Sequence, residues 1–131
     1  LLAQRNPDYV AALSRADVMT IPANSQAPDG PRQAQSGPVF WQDPGRIYMR
    51  YTTRRHNIQW RQDPLSREAV EALAEILRQR TDLVFHRQLG PSEGVLSNNT
   101  PHRREPFQDS TERDRGRLFY RGRFHDNIHI P

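Results

Sequence analysis

One stretch of this chain, Pro64 to Arg80, repeats apolar residues at helical spacing, and short β-prone runs lie on both sides of it. Leu65, Ala69, Val70, Leu73, Ile76 and Leu77 fall on one side of a 3.6-residue repeat, while Asp63 or Ser66 can cap its start and Pro64 suits an early position. Such a helix cannot bury its stripe alone, so it is expected to lie on the surface of a larger body with the apolar stripe inward. Pro38–Trp41 and Arg46–Thr52 flank the turn signal Asp43-Pro44-Gly45, which predicts a hairpin with Ile47, Met49 and Tyr51 on one face.

Upstream, Asn6-Pro7 offers an N-cap and first helical position, and with Tyr9, Val10 and Leu13 it predicts a short helix over about 7–15. From Ile21 to Pro38 the residues are Pro, Gly, Ser, Asn and Gln with few apolar side chains, a composition that buries too little surface to offset its ordering entropy; we expect a long loop. Downstream, Leu83–Leu89 is strand-like, Gly90 to Gly94 is a turn, Gly94-Val95-Leu96 begins a short strand, and a last strand is expected from about Arg117 to Phe124. The 131 residues allow one domain at most, and the expected class is α+β.

With no cysteine, disulfides and thiolate metal sites are excluded, so a metal would need His or carboxylate ligands. All 19 basic residues are arginine, and the 15 acidic ones are interspersed among them, so the net charge of +4 is not concentrated as on a phosphate-binding surface. The arginine- and aromatic-rich stretch Tyr48 to Trp60 superficially resembles a platform for single-stranded nucleic acid, but its rings are expected to pack the hairpin against the helix. We expect neither a nucleic-acid partner nor membrane insertion, since no apolar run approaches the roughly 20 residues that span a bilayer. A cytoplasmic location is expected. The opening Leu1-Leu2-Ala3 reads as mid-helix, so the chain is expected to be a segment of a longer protein.

Chemistry-bearing residues gather in the last third. His102 follows a short strand and a Thr100-Pro101 turn, where a ring nitrogen can be offered to a metal in its neutral form. On a strand, Arg117, Phe119, Arg121 and Arg123 face one way, and residues four apart lie roughly 13 Å from one another, too far to grip one small anion but suited to two successive anionic groups. Arginine suits the task because its planar fork pairs bidentately with carboxylates and stays charged. The bland alternatives are a solvated edge for the arginines and an ordinary surface residue for the histidine. His86 is expected to be a paired strand residue, His56 to belong to an exposed Arg54-Arg55-His56 run, and His125 and His129, though spaced like helical ligands, lie in a segment that does not read as a helix.

These residues resemble the C-terminal part of the taurine dioxygenase (TauD/TfdA-like) family of iron(II)/2-oxoglutarate-dependent oxygenases. Members tend to carry a Gly-containing turn, Asn-Asn or Asp-Asn, His-x-Arg-x-x-Phe-x-Asp and then Arg-x-x-x-Arg. Here these are Gly94-Val-Leu-Ser-Asn98-Asn99, His102-Arg-Arg104-Glu-Pro-Phe107-Gln-Asp109 and Arg117-Leu-Phe-Tyr-Arg121. Pro38-Val-Phe40, Arg50-Tyr51 and a helix beginning near Ser66–Ala69 follow the family's upstream order.

The resemblance implies a double-stranded β-helix, or jelly roll, of which this chain is a part with flanking helices: residues 1–37 as helix and long loop, residues 38–131 as β-helix strands with one helix near 64–80. It implies His102 as the distal iron ligand, Arg117 as the clamp on the far carboxylate of the 2-oxoglutarate cosubstrate, and Arg121 as a second arginine near a small, anionic substrate. Arg113 and Arg117 share the same spacing, so both registers stay open, and the apolar run between Arg117 and Arg121 favours that pair.

The family also carries a His-x-Asp/Glu motif, and no such triplet occurs among these residues. One ligand of three implies that the segment is inactive by itself and completed by a missing N-terminal half, or else inclined to self-associate through uncovered strand edges. The rival from another class is a non-catalytic β-scaffold that binds acidic partners through its arginines.

Overall fold

In the computed structural model, residues 1–27, 30–53, 57–98, 100–106, 108 and 118–122 are described. They form a mixed helix-and-sheet structure with two small antiparallel sheets that remain open. The elements in chain order are α1 (Leu2–Arg5), α2 (Asp8–Leu13), β1 (Met19–Ile21), β2 (Gln35–Gly37), β3 (Phe40–Asp43), β4 (Arg46–Met49), β5 (Gln59–Trp60) and α3 (Pro64–Gln79), followed by a 3-10 turn at Thr81–Leu83. Among the described residues no helix is long and apolar enough to cross a membrane.

The expected short helix is α2, and the Asn6 side chain accepts a hydrogen bond from the Asp8 amide at 2.9 Å, as an Asn ahead of a helix start should. The expected hairpin is β3–β4, in register Trp41↔Tyr48 and Asp43↔Arg46. Its turn is Pro44-Gly45, with Gly45 at φ +82, a left-handed value that glycine adopts without penalty and that a type II turn requires after proline. Met49 and Tyr51 pack against the core as expected, but Ile47, their neighbour on the same face, lies beyond the end of that core and is 76% exposed.

The predicted long helix is α3. Asp63 caps it, its side chain accepting from the Ser66 amide at 3.1 Å. Ala69, Ala72, Leu73 and Ile76 are buried, with Leu65 and Val70 packed alongside, against Leu13 of α2, Val18 and Met19 at the entry to β1, and Val39 ahead of β3. Leu77 lies outside the buried stripe. Three main-chain bonds tie this core together: Val39 N–H to Leu13 C=O (2.8 Å), Arg50 N–H to Val39 C=O (2.7 Å) and Arg61 N–H to Val18 C=O (3.0 Å).

Two sequence expectations need correction. The stretch 21–38 is not simply a loop: β2 closes it by pairing with β1 in register Met19↔Gly37, and an isolated bridge joins Asn24 to Arg32. Backbone groups make this ladder whatever the side chains, so a polar composition could not exclude it. Conversely, 83–89 and 94–96 form no ladder, nor do 118–122 of the expected last strand, and Val84, Phe85, Val95, Leu96, Leu118, Phe119 and Tyr120 are exposed. A strand needs a partner edge, which alternation along one segment does not supply.

Arg50 joins the two sheets. Its guanidinium donates to the Met19 carbonyl at 3.0 Å and lies against Gly37, where an added Cβ would meet Nη2 at 2.9 Å. Burial pushes the guanidinium pKa down. At the other edge, Arg61 pairs with both Asp17 and Asp63, and Arg15 reaches Asp63 at 3.3 Å. Hydrogen bonding from Ser66 leads in lowering the Asp63 carboxyl, and Arg61 and Arg15 add to it, to about 2.

Leu13, with no exposed surface, should lose about 2–5 kcal/mol on replacement by alanine, read as a drop in urea midpoint at unchanged slope. Gly37→Ala should displace the Arg50 guanidinium, the far end of a flexible side chain, and cost about 1 kcal/mol in the same assay, the worth of its hydrogen bond to Met19; no loss would mean that Arg50 moves aside without losing that bond. Because the Asp63 carboxyl titrates lower in the folded chain (about 2) than in the unfolded one (roughly 3.9), its contribution is complete above the unfolded value and disappears as pH falls through the folded one. Asp63→Asn keeps a capping oxygen but should flatten the fall in stability between about pH 4 and 2.

Candidate functional site

The turn before His102 is built by side chains that return to their own backbone. The Ser97 hydroxyl accepts a hydrogen bond from the Thr100 amide at 3.1 Å, closing a local loop of the kind serine favours. Pro101 then fixes one backbone angle, and His102 Nδ1 lies 2.9 Å from the Thr100 carbonyl. A carbonyl oxygen only accepts, so Nδ1 carries the proton in this contact. In the neutral ring, Nε2 is therefore the nitrogen with an available lone pair, the arrangement in which a backbone carbonyl orients a metal-ligating imidazole.

His102 is exposed, as are its neighbours Arg103, Arg104 and Glu105, and Arg103 pairs with Glu105 at 2.6 Å. Ahead of it, the expected turn forms around Gly90: the Glu93 carboxylate accepts from the Gly90 amide and from Arg87, both at 2.8 Å, and Ser92 takes a left-handed φ of 63. This turn reverses the chain before Gly94, and the Ser97 to His102 turn follows.

Arg121 is exposed, on the short described piece Leu118–Gly122. Arg117, Arg113, Asn99, Phe107, Asp109 and Arg123, and the histidines 56, 125 and 129, lie outside the described residues. His86 is exposed and joins no ladder, so the paired-strand role expected for it is not met. Among the described residues no group of three or more His, Asp or Glu is placed to share a metal ion. His102 therefore stands as a single oriented ligand candidate.

The aromatic stretch has a structural use. Trp41 stacks on Tyr48 with ring centroids 5.4 Å apart and planes 12° from parallel, which leaves Tyr48 buried. Tyr51 and Trp60 meet at 6.2 Å over the core, and burial pushes the Tyr51 phenol pKa up. Tyr48, Tyr51 and Trp60 are thus turned to packing, as expected of them. The clefts between α1, α2 and α3, one of about 200 Å³ lined by Leu1, Gln4, Arg5, Ile76, Gln79 and Arg80, include neither His102 nor Arg121.

Sequence reasoning missed the orienting pair Ser97 and Thr100, although a serine three residues ahead of a Thr-Pro-His run is a readable signal for a side-chain-closed turn. At a pH where His102 is neutral, nitrogen NMR should find the proton on Nδ1, and Ser97→Ala should shift the ring toward a mixture of the two tautomers; an Nε2–H ring in the unaltered protein would remove the carbonyl's orienting role. Comparison of the chain with protein-family models, with curated proteins and with solved structures found no match.

Proposed function

We propose that this chain is the C-terminal portion of an iron(II)/2-oxoglutarate-dependent oxygenase of the TauD/TfdA-like group, acting in the cytoplasm on a small, anionic substrate. In this reading its second half belongs to a double-stranded β-helix. The order and spacing of one run support it above all: Gly94 and Asn98-Asn99, then His102-Arg-Arg104-Glu-Pro-Phe107-Gln-Asp109, then Arg117 and Arg121. The His102 turn fits the role independently, because a ring held at Nδ1 by a backbone carbonyl leaves Nε2 in the form a metal takes.

In the intact domain His102 would hold iron through Nε2, Arg117 would pair bidentately with the distal carboxylate of 2-oxoglutarate, and Arg121 would meet the substrate or the wall beside it. When bound, iron would activate dioxygen, the oxidant, whose four-electron reduction is shared between oxidative decarboxylation of 2-oxoglutarate and oxidation of the substrate. The chain's own contribution is placement: a fixed imidazole tautomer, and a guanidinium that stays charged at any working pH. The His-x-Asp/Glu pair has to come from the rest of the domain, so these residues alone should neither retain iron tightly nor turn over. Uncovered as they are, they would dock on that other half or associate with one another.

In the chain joined to a half bearing His-x-Asp/Glu, Arg117→Ala should raise the 2-oxoglutarate concentration needed for half-maximal turnover by roughly 30-fold or more, the usual cost of stranding one partner of a desolvated charge pair. His102→Ala should abolish both iron retention and 2-oxoglutarate consumption. An unchanged 2-oxoglutarate requirement removes Arg117 from its role, and undiminished turnover without His102 removes the oxygenase reading.

A further inference from the structure

We draw no further inference here: the strongest candidate, the exposed apolar run formed by Leu83–Phe85, Val95, Leu96 and Leu118–Tyr120 after the last helix, is an unpartnered face, and nothing in the structure shows what covers it.

Discussion

Burial of the α3 stripe is the interaction on which the described structure rests. Ala69, Leu73 and Ile76 present a narrow apolar strip, and small residues along it let α2 and the turn into β1 approach closely enough to exclude water from Leu13, Val18 and Met19. With that contact in place, backbone bonds from Val39, Arg50 and Arg61 draw both sheets onto one core. The two-stranded sheet is marginal alone, and the three-stranded one needs an apolar surface to pack against, which this core supplies to both.

The cations near this core are spent on joining elements. Arg5 pairs with Glu75 across α1 and α3, Arg61 bridges Asp17 and Asp63, and Arg50 gives up hydration to reach a main-chain oxygen on β1. An all-arginine basic set suits this, because a fork with several donors can satisfy two carboxylates at once. Exposed pairs of this kind each contribute little, and their effect is mainly on orientation. Arg50 is the exception, since it is half-buried and has Gly37 shaped around it.

Beyond the 3-10 turn the character of the chain changes. Residues 84–98 and 100–106 show short-range contacts: Arg87 with Glu93, Gly90 with Glu93, Ser97 with Thr100 and Thr100 with His102. Such contacts orient a side chain without burying it.

The helix at 64–79, the Pro44-Gly45 hairpin, the Asp63 cap and the Gly90 turn were legible in the sequence because each depends on neighbours a few residues away: a periodic stripe, a proline-glycine pair, a carboxylate three residues from the amide it accepts. The His102 motif was legible as a pattern, and the nitrogen it offers was not, since that depends on a hydrogen bond whose geometry only coordinates supply. Pairing of β1 with β2 across a polar stretch, the fit of Arg50 against Gly37, and the absence of ladders at 83–89 and 94–96 were decided by tertiary structure. Local patterns state what a segment is able to form, whereas a ladder, a buried guanidinium or a covered face exists only if a distant part of the chain arrives with the matching edge, carbonyl or apolar surface.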